Sequence, residues 1–222
     1  MKSIAPGIHY GVYSYPEAGR ILGVSPRRVA RWADGYFFAR KERVGRSEPV
    51  LQAQAHQRGV LNFNELIELM FVREFVALGV PLPRIRATAQ ALAKEVGDYP
   101  FTHRQVLAGG RELLVRETDD ILRRPDIGQL VADFAETLAQ QVEIEHDRVH
   151  RYYPPQYNRQ VYLDMAIRGG EPVVSEHAIP TRAIYNLWRQ EQDLDRVADY
   201  FDLLPEIISA AIRYEGEWRL SA

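Results

Sequence analysis

The sequence predicts a mainly α-helical protein with small β elements, an α+β fold, in which a winged helix-turn-helix precedes a second helical unit. Three observations predict this fold. Helix-capping patterns followed by apolar residues at helical spacing begin near residues 14, 25 and 62. An aromatic and basic stretch containing a glycine lies between the second and third patterns. Short apolar runs after paired glycines indicate a few short strands.

The composition restricts the possible classes of function. The chain has 222 residues, of which 46% are hydrophobic, enough for one large domain or two modest ones. The absence of cysteine excludes disulfides, thiolate metal sites and cysteine nucleophiles. The sequence shows neither an apolar signal core nor an apolar run as long as a membrane span. We therefore expect a soluble, cytoplasmic protein without a membrane partner.

Positive charge is concentrated at the start of the chain, although the net charge is only −2. Residues 1–60 carry ten Lys or Arg and four Asp or Glu, whereas residues 161–222 carry six and eleven. Residues 61–160 carry twelve and fifteen. This asymmetry favours an anionic partner for the first segment and a different partner for the last, the alternative being chance clustering on solvated faces.

Two short helices joined by a tight turn are predicted at the start of the chain. Ser14 and Glu17 have the spacing of a capping box, in which each side chain satisfies a free N–H group at a helix start. Gly23 suits the left-handed cap that ends such a helix. Ser25 can cap a second helix that has Pro26 at its first position.

The second helix is predicted to have a basic outer face. Val29 and Trp32 lie three residues apart and are expected to face inward. Arg27, Arg28 and Arg31 are then expected to point outward. Such a helix fits the DNA major groove, where arginine holds guanine bidentately or neutralises phosphate. The stretch from Tyr36 to Arg46, aromatic and then basic, favours a short hairpin, or wing, against the DNA backbone. The alternative is a helical hairpin with a solvated basic face.

The N-terminal segment resembles the MerR-like winged helix-turn-helix. The resemblance rests on Tyr15-Pro16-Glu17-Ala18, Leu22-Gly23-Val24-Ser25 and Arg31-Trp32. It implies DNA-contacting residues in the recognition helix and in the wing, which are Arg27, Arg28, Arg31, Arg40, Lys41, Arg43 and Arg46. The residues themselves predict two further helices. The first follows the capping pattern Asn62–Glu65 and is apolar almost all round, and the second carries one apolar stripe and ends at Gly97. The stripe consists of Ile85, Ala89, Leu92 and Val96. A MerR-like domain also has two helices after the wing.

The middle of the chain gives mixed signals, and we assign it no chemistry. Leu113-Leu114-Val115 suggests a strand, the apolar spacing of residues 127–138 a helix, and the alternation in Val142–Glu145 an exposed strand. His146 and His150, four apart, would share a helix face and could bind a metal, but a surface pair is favoured. We expect no metal and no cofactor. The stretch Tyr152-Tyr153-Pro154-Pro155-Gln156 is typical of a stiff connector.

A second helix-turn-helix pattern closes the chain. Gly169 and Gly170 indicate a turn before the strand Val173-Val174, and Thr181 is expected to cap a helix. When Pro205 is aligned with Pro26, the residues at the positions of the three arginines are Glu206, Ile207 and Ala210. Because acidic and apolar residues are poor phosphate contacts, the shape is expected to recur without the DNA chemistry.

This C-terminal stretch resembles a small antitoxin family, formerly of unknown function. The resemblance rests on 169–174, on Ile179-Pro180-Thr181-Arg182, and on the terminal motif from Tyr200 to Glu215. It implies a VapB-type antitoxin whose partner is a PIN-like ribonuclease toxin. In such toxins carboxylates hold Mg²⁺, so an inserted arginine would displace the metal by charge. The candidate toxin-binding residues are Arg182, Trp188, Arg213, Tyr214, Trp218 and Arg219. The alternative, favoured for any single aromatic residue, is that it packs in the core of this domain.

The resulting hypothesis is a non-enzymatic antitoxin that represses its own operon as a homodimer on operator DNA. Residues 1–98 form the DNA-binding region, 99–155 a mixed α/β connecting region and 156–222 the antitoxin-like domain. The alternative is a MerR-like transcriptional regulator that senses a small ligand in its middle region. A hydrolase lacks support, because the sequence contains no serine-hydrolase signature, phosphate loop or zinc-protease motif.

Overall fold

The computed structural model describes residues 12–40, 43–51, 56–104, 138 and 140–220. The chain divides into two compact units. The first takes its residues from 1–140 and 144–149, and the second from 141–143 and 150–222. Each unit is described below by itself.

In its described residues, the first unit combines four helices with two small antiparallel pairs of strands. Strand β1 pairs with β4, and strands β2 and β3 form a hairpin. The elements are β1 (Tyr13–Ser14), α1 (Tyr15–Leu22), α2 (Pro26–Asp34), β2 (Tyr36–Arg40), β3 (Arg43–Ser47), β4 (Val60–Leu61), α3 (Phe63–Ala77), α4 (Leu82–Val96) and a 3-10 turn (Pro100–Thr102).

Helix α1 begins and ends as its sequence predicts. The Ser14 N–H donates to Oε2 of Glu17 over 2.8 Å, and the Glu17 N–H donates to Oγ of Ser14 over 3.4 Å, which completes the capping box. Gly23 has a φ of 63°, the left-handed conformation that glycine adopts without a Cβ penalty. The Val24 N–H donates to the carbonyl of Gly19 over 2.8 Å and closes the turn.

Helix α3 is the central element of the first unit. Its predicted capping pattern is confirmed, since Asn62 and Glu65 exchange backbone-to-side-chain hydrogen bonds of 2.8 and 2.9 Å. Residues on every face of the helix are buried, as the almost continuous apolar sequence predicts. The buried residues of α3 are Phe63, Glu65, Leu66, Ile67, Glu68, Leu69, Met70, Phe71, Val72 and Phe75.

Helix α4 presents one apolar stripe to the core. Ile85, Ala89 and Leu92 are buried, as their spacing predicts, and the helix follows Pro81 and ends before Gly97. The 3-10 turn that comes next buries Phe101. The predicted strand at 113–115 lies outside the described residues. Of the helix predicted at 127–138, the structure describes only Leu138, which is helical and buried.

The second unit packs a small sheet with three helices. Its strands pair in the order of the sequence, β5 to β9, and the pairs from β6 to β9 are antiparallel. The elements are β5 (Val142–Glu145), β6 (Arg148–Tyr152), β7 (Val161–Asp164), β8 (Val173–Val174), β9 (Ile179–Pro180), α5 (Thr181–Glu191), α6 (Leu194–Phe201) and α7 (Pro205–Leu220), with 3-10 turns at Pro155–Tyr157 and Arg168–Gly170. The tips of β5 and β6 are grouped with the first unit.

The core of the second unit lies between the sheet and the helices. Val161 and Val174 from the sheet pack with Ile184, Val197 and Ile208, one residue from each helix. The predicted turn into β8 is confirmed by the positive φ angles of its glycines, 66° and 79°. These contacts hold the three helices against the sheet.

The structure differs wholly or in part from three local predictions for the second unit. Thr181 does not cap α5, because Pro180 occupies the cap position and the Thr181 hydroxyl lies 2.6 Å from Oε1 of Glu215. The stretch predicted as a connector contributes buried side chains, including Tyr152 and Tyr153. The predicted exposed strand at 142–145 exists, but it buries Val142.

The predicted α+β class is confirmed, with seven helices and small sheets in the described residues. Helices supply most of the regular structure, and every sheet is short. Within the described ranges, no helix is long and apolar enough to cross a membrane.

Candidate nucleic-acid interface

Helix α2 carries the predicted basic face. Ser25 caps the helix, since its Oγ accepts from the Arg28 N–H over 3.3 Å, and Pro26 takes the first position. Arg27, Arg28 and Arg31 are exposed, whereas Val29 and Trp32 are buried, as predicted. The arrangement presents three guanidinium groups along one exposed side of a short helix.

Two arginines lie over aromatic rings of the wing, the β2–β3 hairpin. The guanidinium carbon of Arg31 lies 4.9 Å from the centroid of the Tyr36 ring, and that of Arg46 lies 5.7 Å from the Phe37 ring. Such stacking orients a guanidinium while its N–H donors still face outward. Arg46 also lies 3.7 Å from Glu48, but both side chains are half exposed, so that ion pair contributes little.

The wing has an apolar outer face that the sequence analysis did not single out. In the hairpin register Phe37 pairs with Arg46, and Val44 lies two positions before Arg46 on the same strand, so these three side chains share one face. Phe37 is 78% exposed and Val44 is 83% exposed. Side chains alternate between the two faces of a hairpin, so the sequence shows this apolar face only once the pairing of β2 with β3 is known. An apolar face with an arginine suits contact with deoxyribose and phosphate.

The remaining predicted wing residues are placed only in part. Arg40 and Arg43 are opposite each other at the end of the hairpin. Their side chains, and Lys41 as a whole, lie outside the described residues.

Contacts from the recognition helix and from α4 hold the base of the wing. Gly35, between α2 and β2, has a φ of 73°, and a Cβ there would lie 2.3 Å from the backbone oxygen of Ser47. Arg86 of α4 donates to the carbonyl of Pro49 over 3.1 Å and to the Ser47 hydroxyl over 3.0 Å. The Val50 N–H donates to the carbonyl of Trp32 over 2.8 Å. Arg86 thus positions the wing.

A partly buried acid–histidine network supports the C-terminal end of α2. Nε2 of His56 lies 3.0 Å from Oδ1 of Asp34, and its Nδ1 lies 2.8 Å from Oε1 of Glu65. The hydrogen bond to Glu65 raises the pKa of His56, and the bond to Asp34 acts in the same direction against the effect of burial. The imidazole of His56 therefore bridges two carboxylates, one from α2 and one from the start of α3.

The second unit repeats the helix-turn-helix geometry, as predicted. Asp202 stands at the position of Gly23, and both residues have the left-handed conformation, with φ angles of 53° and 63°. Helix α7 begins at Pro205 as α2 begins at Pro26. At the position of the exposed Arg31, however, stands Ala210, which is fully buried in the core of the second unit. This helix presents no arginine at the three positions that α2 uses.

The predicted toxin-binding residues have different surroundings. Arg182 is exposed and lies 3.0 Å from Glu171. Trp188 is half buried against the core. Arg213 is exposed, with its guanidinium carbon 6.0 Å from the ring of Tyr157.

Tyr214, Trp218 and Arg219 complete this set. Tyr214 is only 2% exposed and its ring packs edge-on against Tyr157. Its side chain packs in the core of the second unit. Trp218 and Arg219 lie on α7, but their side chains are outside the described residues.

The histidine pair does not form the geometry required for the metal site considered from the sequence. His146 lies in the turn of the β5–β6 hairpin with a φ of 50°, whereas His150 lies on β6, so the two do not share a helix face. In the described part of the chain, no group of three or more His, Asp or Glu side chains is placed to hold a metal ion.

Comparisons with known proteins agree with the two-part organisation. Residues 11–89 match the family described as "Putative DNA-binding HTH domain". Residues 161–214 match a family described as "Protein of unknown function". These matches cover the recognition helix with its wing, and most of the second unit.

A curated protein and a solved structure, both from Mycobacterium tuberculosis, match most of this chain. The chain is 27% identical over 220 residues to the protein named "Putative antitoxin VapB45", a match that spans 90% of this chain and 92% of that protein. The crystal structure of Rv2018 aligns with a TM-score of 0.70 at 24% identity, covering 90% of this chain and 96% of that one. The structural match shows a shared fold. The expected resemblance to VapB-type antitoxins with a helix-turn-helix is confirmed.

Proposed function

We propose that this chain is a non-enzymatic antitoxin that binds its own operator through the first unit and a PIN-like ribonuclease toxin through the second. The observation that carries the proposal is the capped helix α2, which exposes Arg27, Arg28 and Arg31 beside a basic wing. The similarity to the protein named "Putative antitoxin VapB45" supports the antitoxin role.

The DNA-binding mode follows from the geometry of α2. A recognition helix enters the major groove with its N-terminal residues nearest the base edges, which favours Arg27 and Arg28 for base contacts. Arg31, already stacked on Tyr36, is better placed for a phosphate. One short helix reads few base pairs, so a homodimer on two half-sites about one helical turn apart is the expected arrangement.

The toxin-binding mode uses an arginine against a carboxylate cluster. An inserted guanidinium would compete with Mg²⁺ for the toxin's carboxylates. Arg213 is exposed and lies over an aromatic ring, which makes it the first candidate. Arg182 would have to leave Glu171, but a pair in which Arg182 is 70% exposed contributes little and is easily exchanged.

Co-expression with the product of the neighbouring gene tests this proposal. The tagged full-length chain is purified, and the stoichiometry, ribonuclease activity and operator binding of the complex are measured. We expect a stable complex without ribonuclease activity that still binds the DNA upstream of its own gene. A chain that binds that DNA but neither binds nor silences the neighbouring product would be a regulator without an antitoxin role.

A further inference from the structure

The two helix-turn-helix motifs have backbone hydrogen bonds at corresponding positions. The bond from the Val24 N–H to the Gly19 carbonyl, 2.8 Å, has its counterpart in the 3.0 Å bond from Leu203 to Ala198. The start of each second helix matches as well, because the Ile207 N–H donates to the Leu204 carbonyl over 3.0 Å at the corresponding place. A position in one motif can therefore be compared directly with its partner in the other.

Two large apolar side chains are exposed at the turn of the second motif. Leu204 stands at the position of the capping Ser25 and is 64% exposed. Tyr200 stands at the position of Ile21 and is 73% exposed, with its ring edge-on to Phe201 at 5.0 Å. A leucine at this position forfeits the side-chain cap that Ser25 provides. Exposed apolar residues on a rigid turn are typical of a protein-binding surface.

The charge of the turn is reversed between the two motifs. Asp199 stands at the position of Arg20, and Glu206 stands at the position of Arg27. Asp202, which occupies the left-handed position of the turn, adds a third exposed carboxylate. In the described part of the chain, no cation lies within ion-pair distance of these three carboxylates. We call Tyr200, Leu204 and the three carboxylates the acidic turn.

We propose that the acidic turn docks onto the cationic surface with which the ribonuclease toxin binds RNA. This inference rests on the proposed function. An enzyme that binds a polyanion must present basic side chains, and three carboxylates on a rigid turn supply complementary charge where the first motif offers arginine to phosphate. Tyr200 and Leu204 would fill the apolar contacts that RNA bases make in the same groove.

The same charges argue against a second copy of this chain, and against nucleic acid, as the partner of the acidic turn. A symmetric contact between two copies would place the carboxylates of one acidic turn against those of the other, which costs free energy. Nucleic acid is repelled for the same reason. The toxin's RNA-binding surface is the partner whose charge matches.

Binding of full-length variants to the purified toxin tests the inference. The first variant, Asp199→Asn/Asp202→Asn/Glu206→Gln, removes three charges, and asparagine is tolerated in the left-handed position. The second, Tyr200→Ala/Leu204→Ala, removes the apolar contacts. A matched control, Glu176→Gln/Asp195→Asn/Glu191→Gln, removes three exposed charges elsewhere in the second unit.

We expect at least a tenfold loss of toxin affinity in both test variants and less than a twofold loss in the control, with unchanged circular dichroism and melting temperature. The charge variant should also show a flatter salt dependence, and a 2′-O-methyl RNA oligonucleotide should displace the wild type from the toxin.

Unchanged affinity of both test variants would overturn the inference while leaving the proposed function intact. A wild type that does not bind the toxin would overturn both. Test variants that change the oligomeric state of the chain, and not toxin affinity, would identify the acidic turn as a contact between copies.

Discussion

The phenol oxygen of Tyr15, the first residue of α1, donates to Oδ1 of Asp34, the last residue of α2, over 2.8 Å. This bond joins the outer ends of the two helices of the first helix-turn-helix. Asp34 also contacts His56 and lies 3.7 Å from the Arg58 guanidinium. The angle between the supporting helix and the recognition helix is thereby fixed by a partly buried polar contact as well as by the turn.

Replacing Tyr15 by phenylalanine should weaken the first unit. The change leaves Asp34 without one of its donors, and loss of a hydrogen bond to a charged group costs about 1–3 kcal/mol. Urea unfolding monitored in the first unit measures the effect. Tyr200→Phe, at an exposed tyrosine, is the control and should leave the unfolding midpoint in place. Equal midpoints for all three proteins would show that the Tyr15 bond does not stabilise the fold.

Gly19→Ala should open the first helix-turn-helix. A Cβ at this position would lie 2.7 Å from the backbone oxygen of Val24 and 3.2 Å from the nitrogen of Pro26, and neither is on a flexible side chain. Overpacking of this kind costs about 1–3 kcal/mol, more than the helix propensity gained by replacing glycine. We expect lower stability of the first unit and weaker operator binding, measured by denaturation and by DNA titration.

Gly216→Ala provides the matched comparison. Gly216 lies within α7, and among the described residues no heavy atom would come within 4 Å of its Cβ. Here only the higher helix propensity of alanine should act, and it should stabilise the second unit by about 0.5–1 kcal/mol. If both glycine variants shift stability in the same direction, the close contact between the new Cβ at position 19 and the Val24 oxygen does not determine the effect of Gly19→Ala.

Glu68→Gln should flatten the pH dependence of stability. Burial raises the pKa of Glu68 to about 8, against the opposing bonds from the Phe101 and Thr102 backbone and the charge of Arg148. The folded state therefore keeps a proton that the unfolded state releases above about pH 4.5, its ordinary pKa. Stability should fall as the pH rises from about 5 to 8, by at most about 1.4 kcal/mol per pH unit.

The glutamine variant keeps the acceptor for the Phe101 N–H but does not titrate. Chemical denaturation at several pH values measures both slopes. A residual slope of the same sign is expected from His56, whose raised pKa contributes stability below its ordinary value that is lost as the pH rises. Parallel curves for the variant and the wild type would show that Glu68 ionises without effect on folding.

Features set by neighbouring residues were predictable from the sequence. The capping boxes Ser14–Glu17 and Asn62–Glu65 and the turn at Gly23 depend on interactions within a few residues, and all three are confirmed. Thr181 has the residue type of a cap, but Glu215, 34 residues away, takes its hydroxyl. A local pattern predicts a contact only when no distant partner competes for the same atom.

The candidate site was predictable to the same extent. The outward direction of Arg31 follows from the helical period, whereas the bridge from Asp34 through His56 to Glu65 joins residues 22 and 9 positions apart that no spacing rule connects. The burial of Tyr214 likewise depends on packing against Tyr157 across the second unit. Tertiary packing decides which candidates of suitable chemistry reach the surface.

The salt dependence of DNA binding by an arginine-free α2 tests the central claim most directly. Arg27→Ala/Arg28→Ala/Arg31→Ala and the control Arg182→Ala/Arg189→Ala/Arg196→Ala each remove three exposed guanidinium groups. Affinities for the DNA upstream of the gene and for a random duplex are measured from low to physiological salt, with circular dichroism as the folding check.

We expect the control to match the wild type. Each arginine lost from a base edge should cost about 1–3 kcal/mol for the operator alone. Each arginine lost from a phosphate should weaken both duplexes and reduce the salt slope by about one. A folded α2 variant with the wild-type affinity and salt slope on the operator would contradict the claim that this helix reads DNA.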